Sequence, residues 1–165
     1  MKLYVMRHGP AEDDVPTGDD ATRALTPSGR DRVRGVARAL VEAGESPKLI
    51  ISSPLVRALQ TAEIVHAHCG VEGPAQVHVA MAPRGDALQL VRNAAQLGKK
   101  RLMVVGHDPD VSILVAALLG RTLATGFAKA MVVGVHVPPE ERDATLRFVL
   151  DPRSLELITD ASTLA

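Results

Sequence analysis

Apolar residues in this 165-residue chain come as short unbroken blocks and as stripes recurring every three or four positions. Leu3-Tyr4-Val5-Met6, Leu49-Ile50-Ile51-Ser52 and Leu102-Met103-Val104-Val105 are blocks, and read as strands covered on both faces. Val77 to Val79 reads as a further short strand. The stripes lie between them. Thr26 and Pro27 supply an N-cap and a first helical residue, Val33, Val36, Ala37 and Leu40 follow on one face, and Gly44 ends the segment. Ser53-Pro54 repeats the cap signature ahead of a stripe of Leu55, Leu59, Ala62 and Val65. Gly85-Asp86 precedes a helix carrying Leu88, Val91 and Ala95 and ending at Gly98. Asp108 and Pro109 suit the cap and first position of a helix running to Leu119. Val133, Val135 and Val137 alternate, as do Leu146, Phe148 and Leu150, across a Pro138-Pro139 loop, which predicts an antiparallel hairpin.

Strand and helix alternate over residues 3–119. This predicts an α/β fold: a three-layer α/β/α sandwich with a mostly parallel sheet and an antiparallel C-terminal hairpin. No repeat, low-complexity tract or linker interrupts it, so residues 1–165 read as one domain. One loop stands out. Residues 9–25 hold Gly9, Pro10, Pro16 and Gly18 with five acids, Glu12, Asp13, Asp14, Asp19 and Asp20. The acids read as a solvated surface, although loops beyond about 12–15 residues are usually functional or mobile.

Composition narrows the function. Lys+Arg and Asp+Glu are both 19, giving zero net charge, and the aromatics are one Tyr and two Phe. A nucleic-acid partner is therefore not expected, since both the basic surplus and the stacking platforms are missing. The longest apolar stretch, residues 113–119, falls short of the ~18–20 residues that span a bilayer, so no membrane partner is expected. No signal-peptide pattern opens the chain. The lone Cys69 forms no internal disulfide and suits a reducing compartment, so the location expected is cytoplasmic. His66, His68 and Cys69 fall at i, i+2 and i+3 and do not share one helix face, which argues against a metal site. His78 and His136 read as structural or solvated. No nucleotide-binding glycine loop occurs.

In open α/β sheets the ligand crevice lies beyond the carboxyl ends of the strands. Arg7 and His8 follow the first strand, Arg57 lies one turn into the helix after the second, and His107 follows the strand at 102–105. Two guanidinium forks and two imidazoles at one rim suit a phosphoryl group, and an imidazole can act as nucleophile. Helix starts near Ser53 and Asp108 would add backbone N–H groups.

These residues also carry a resemblance. Arg7-His8-Gly9 after an N-terminal strand, the segment from Ser53 to Ala62 with its arginine at Arg57, and Gly106-His107 resemble, in order, three motifs of the histidine phosphatase superfamily, the phosphoglycerate mutase-like proteins. Within it the chain is most similar to the small SixA-type phosphohistidine phosphatases, through its short length, Leu25-Thr26-Pro27 with Gly29, and Ala82-Pro83-Arg84-Gly85-Asp86. The resemblance implies that His8 is a nucleophile forming a phosphohistidine intermediate. Arg7, Arg57 and His107 would bind phosphate and neutralise charge in the transition state. No cofactor or metal is implied, because arginines supply the charge that Mg²⁺ supplies elsewhere.

The chain departs from the family at one point. Many members place a proton-donating glutamate after the third strand, and residues 80–86 hold no Glu. Either Asp86 or an acid of the 12–20 loop such as Glu12 serves as proton donor, or the substrate needs little help. Phosphorylated imidazole takes up its own proton near neutral pH, whereas an alkoxide needs a general acid. The expected activity is thus a phosphatase acting on phosphohistidine in a protein, with a histidine phosphotransfer domain as the kind of partner. The alternatives are a phosphatase of small phosphate esters and a non-catalytic phospho-ligand binder of the same fold.

Overall fold

Leu3 and Val5 of the first strand, β1 (Lys2–Arg7), join one buried cluster, and Tyr4 and Met6 between them join another. That alternation sets the layers. The computed structural model describes residues 1–159 apart from 17 and 141. Its further elements are α1 (Pro27–Glu42), β2 (Leu49–Ser52), α2 (Val56–Cys69), β3 (Gln76–Val77), α3 (Ala87–Gln96), β4 (Arg101–Gly106), α4 (Asp110–Leu119), β5 (Val132–His136), β6 (Thr145–Leu150) and β7 (Leu157–Ile158). The strands form one seven-stranded sheet in the order β3-β2-β4-β1-β5-β6-β7. Neighbours among β1 to β4 run parallel, and β5, β6 and β7 are added antiparallel. The cluster on one face takes Val91 of α3 and Leu114 of α4; the other takes Val36 of α1 and Ala62 of α2. The three-layer sandwich expected from the sequence is therefore present.

The first helix begins where its cap predicts. Thr26 Oγ1 accepts from Gly29 N at 2.9 Å, and Val33, Val36, Ala37 and Leu40 are all buried. Such a cap contributes about 1 kcal/mol. Gly29 is required for contact rather than for a turn. A Cβ there would lie 2.0 Å from the Pro10 carbonyl oxygen, and one at Gly9 would lie 2.6 Å from Val33 Cγ2. The two glycines let the loop after β1 lie against α1, which seats His8 at the end of the sheet.

Five readings need correction. Helix α2 starts at Val56 with Leu55 as an unassisted N-cap, because the Ser53 hydroxyl is engaged with Leu55 N and with His107. Its buried stripe is Ala58, Thr61, Ala62 and Val65, leaving Leu55 and Leu59 half-buried. Helix α4 starts at Asp110 rather than at Pro109, and the Asp108 carboxylate accepts from the Ser112 hydroxyl instead of a backbone N–H. In α3 the inward residues are Ala87, Val91, Ala94 and Ala95, while Leu88 is exposed. Strand β3 ends at Val77, and Val79–Met81 is a 3-10 turn whose cap is His78, through Nδ1 accepting from Ala80 N at 3.1 Å.

Candidate active site

Strands β1 and β4 are adjacent and parallel with Arg7 opposite Gly106, so the residues that follow, His8 and His107, emerge side by side. Their ring centroids are 5.2 Å apart. The backbone is pinned there by His8 N donating to Gly106 O at 3.0 Å and by Ala130 N donating to His8 O at 3.1 Å. Arg57 arrives from the first turn of α2. Thr61, one turn further on, donates to Arg57 O at 2.7 Å and accepts from Gly9 N at 3.0 Å, tying α2 to the loop that carries His8.

His8, Arg57 and His107 are only 6, 5 and 5 % exposed. The proton on His8 is assigned by its partners. Nδ1 lies 2.7 Å from Gly9 O, which only accepts, so Nδ1 carries the hydrogen; Nε2 is then a bare lone pair, accepting from Arg57 Nε at 3.3 Å. Burial lowers its pKa to about 3; the hydrogen bond with Gly9 O opposes this, and the nearby His107, Arg57 and Arg7 reinforce it. His8 is a neutral imidazole with its bare nitrogen facing a guanidinium. His107 Nε2 is 2.7 Å from Ser53 Oγ, and burial and then Arg57 lower its pKa to about 4. Among the described residues His107 Nδ1 and Arg7 Nε are buried without a partner, and Arg7 is anchored by a terminal nitrogen donating to Phe127 O at 2.6 Å. Positive charge and unsatisfied nitrogens gathered around one neutral imidazole suit a tetrahedral phosphoryl anion.

The proton-donor candidates are placed elsewhere or occupied. Asp86 is exposed and caps α3, its Oδ1 accepting from Gln89 N at 3.0 Å. Glu12 is exposed, and its contacts are made by the backbone, to Ala24 O and from Arg23. The acidic loop nevertheless reaches the cluster, through Asp20. Arg57 donates to Asp20 O at 2.8 Å and to Asp20 Oδ2 at 3.0 Å, and hydrogen bonds from Arg57 and then Arg23 hold that carboxyl below the usual carboxylate range. Asp20 is ionised at neutral pH and has no proton to give. All five acids are exposed, as a solvated loop would have them, but that reading misses the contact of Asp20 with Arg57. Among the described residues no group of three or more His, Cys, Asp or Glu is arranged to hold a metal, and no helix is long and apolar enough to cross a membrane. His66 and His68 bond Gly73 O and Ile64 O, at 2.6 and 2.9 Å.

Two buried neutral histidines make stability depend on pH. In the unfolded chain both protonate near 6.5, so between about pH 6.5 and 4 the unfolded state binds more protons and stability rises with pH. Glu45 adds the same sign lower down: burial pushes it up, but hydrogen bonds from Arg147 and Tyr4 bring it to about 2. The urea midpoint is expected to fall between pH 7 and pH 5, and to fall less in a His8→Asn, His107→Asn double variant. A wild-type midpoint that stays level over that interval contradicts the assignment of neutral histidines.

Paired imidazoles at the carboxyl ends of β1 and β4, with guanidiniums from β1 and α2 beside them, define a phosphoryl-handling α/β protein. The chain belongs to the histidine phosphatase superfamily: the model for branch 1 of that superfamily matches residues 3–81. It is 29 % identical over 163 residues to the phosphohistidine phosphatase SixA of Escherichia coli, covering 95 % of this chain and 98 % of that one. It is 39 % identical over 142 residues to an uncharacterized protein of Picosynechococcus sp., covering 82 % of this chain and 85 % of the relative. The solved structure of the protein histidine phosphatase SixA complexed with tungstate superposes with a TM-score of 0.86 at 28 % identity, over 94 % of this chain and all of that one. A phosphoserine phosphatase of Entamoeba histolytica shares the fold, at a TM-score of 0.69 and 18 % identity over 90 % of this chain and 95 % of that one. The class is that of a phosphatase, a hydrolase.

Proposed function

We propose that this phosphatase removes the phosphoryl group from phosphohistidine in a protein, with His8 as nucleophile. The observation that carries the reading is the bare Nε2 of a buried, neutral His8 held against Arg57. Nε2 attacks phosphorus in line, a new P–N bond forms, and the substrate P–N bond breaks with its electron pair passing to the departing imidazole. That imidazole takes its proton from solvent. Water then attacks the phosphorus on His8, releasing inorganic phosphate and restoring the free imidazole. Arg7, Arg57 and His107 bind the phosphoryl oxygens and offset charge as it builds, so catalysis rests on positioning and electrostatics.

The preference for P–N over P–O follows from the carboxylates. Asp20, the carboxylate in contact with the cluster, is paired with Arg57 and Arg23, and Asp86 is committed to a helix cap. An alkoxide leaving group therefore finds no ready acid beside His8, and general acid catalysis is worth about 10²–10⁴-fold. The likeness to proteins called phosphohistidine phosphatase and protein histidine phosphatase supports the same substrate class. A phosphorylated histidine phosphotransfer domain, a phosphoserine peptide and p-nitrophenyl phosphate, assayed side by side, test this. Phosphate release from the first is expected to exceed that from phosphoserine by about 100-fold or more in kcat/KM, whereas p-nitrophenyl phosphate, whose nitrophenolate leaves without a proton, falls less far behind. Rapid turnover of phosphoserine with phosphohistidine left intact overturns it.

A further inference from the structure

Arginine presents five N–H donors in a rigid planar fork, so a guanidinium is only as well aimed as the groups that stop it from rotating. In Arg57 three of the five are engaged: Nε with His8 Nε2 at 3.3 Å, and the two terminal nitrogens with Asp20 O at 2.8 Å and Asp20 Oδ2 at 3.0 Å. One residue thus holds both terminal nitrogens while Nε–H meets the imidazole. Asp20 is itself braced. It opens the 3-10 turn Asp20–Thr22, its Oδ1 accepts from Arg23 Nε at 2.8 Å, and Arg23 reaches back to Glu12 O at 2.9 Å. The chain of contacts runs from the loop through Asp20 and Arg57 to the nitrogen that would attack.

We propose that Asp20 is a positioning residue, which fixes the guanidinium plane of Arg57 so that its Nε edge faces His8 Nε2 and the phosphoryl group bound there. This rests on the reading of His8 as nucleophile. The grip leaves one N–H on each terminal nitrogen for phosphoryl oxygens, and with the fork held in place Nε–H meets an oxygen of the phosphoryl group once phosphorus takes up the Nε2 lone pair. Asp20 therefore aims Arg57 without excluding the phosphoryl group. The aim matters most in the transition state, because the charge Arg57 meets grows as the phosphoryl group transfers.

A displacement of about 1 Å in a catalytic group can cost 10²-fold. Asp20→Ala is expected to lower kcat by about 10- to 100-fold with KM changed less than about threefold. Asp20→Asn keeps the backbone acceptor and one side-chain oxygen, and is expected to recover most of that loss. The Arg57 Nε–H resonance, followed by ¹⁵N NMR, is expected to be sharp in the wild type and in Asp20→Asn, and broadened in Asp20→Ala. If Asp20 instead competes with phosphate for Arg57, Asp20→Ala binds tungstate more tightly and raises kcat/KM, which overturns the proposal. Equal losses in Asp20→Ala and Asp20→Asn, or an Nε–H signal unchanged in Asp20→Ala, overturn it as well. Wild-type protein that turns over no phosphorylated substrate rejects the nucleophile reading alone; the Nε–H resonance then still decides whether Asp20 holds Arg57.

Discussion

Replacing His8 with alanine is expected to stop turnover of every phosphorylated substrate, with kcat falling by about 10⁴-fold or more. The size follows from the kind of group removed. Loss of a phosphate-binding residue leaves the two-step route intact but slower, whereas loss of the nucleophile removes the route and leaves only direct attack by water. Two features suit Nε2 to the proposed role: the Gly9 carbonyl that holds the hydrogen on Nδ1, and the burial that brings the pKa to about 3. Tungstate binding is expected to persist in His8→Ala, because Arg7, Arg57 and His107 remain to hold an oxyanion. The accompanying chemical test is a quench of wild-type enzyme during turnover of ³²P-labelled substrate. Label is expected on His8, stable in base and lost in acid as an N-linked phosphate is. A His8→Ala protein that keeps a tenth of the activity, or label found on another residue, removes His8 from the mechanism.

The parts of this site that can be read in the chain differ physically from those that cannot. The blocks at 3–6 and 102–105 are apolar on consecutive residues because both faces of β1 and β4 are covered, so their carboxyl ends could be marked and Arg7, His8 and His107 placed at one rim. Arg57 came with them because one helical turn separates it from the end of β2. Asp20 offers no comparable signal. It is one of five acids in a loop with no periodicity, and only the 3-10 turn, capped through Asp19 accepting from Ala21 N at 2.9 Å, directs it toward Arg57 rather than to solvent. Ser53 misleads for the opposite reason. Its residue type signals a cap, but its hydroxyl is drawn to His107, 54 positions away, and the helix starts later in consequence. Strand β7, two residues long and paired with β6, is too short to carry an alternation. Local patterns reveal where backbone and core meet; contacts between distant polar side chains have to be seen.

Arg57→Lys keeps the formal charge and is nevertheless expected to lower kcat/KM by about 10²–10³-fold. Lysine ends in a single nitrogen, and Arg57 meets three separate acceptors, His8 Nε2, Asp20 O and Asp20 Oδ2, from three nitrogens spread across a plane. One ammonium cannot reach all three. Drawn to Asp20 it leaves the nucleophile undirected, and drawn to His8 it abandons the carboxylate. Burial adds a second loss, since the guanidinium position is only 5 % exposed and an ammonium there is costly to desolvate and tends to shed its proton. Arg57→Lys is therefore expected to resemble Arg57→Ala in kcat more closely than it resembles the wild type, which steady-state kinetics on phosphohistidine protein can measure. Were Arg57→Lys to retain more than a third of wild-type kcat/KM, Arg57 would be acting as a diffuse positive charge, and the fork geometry that links Asp20 to His8 would have no part in the rate.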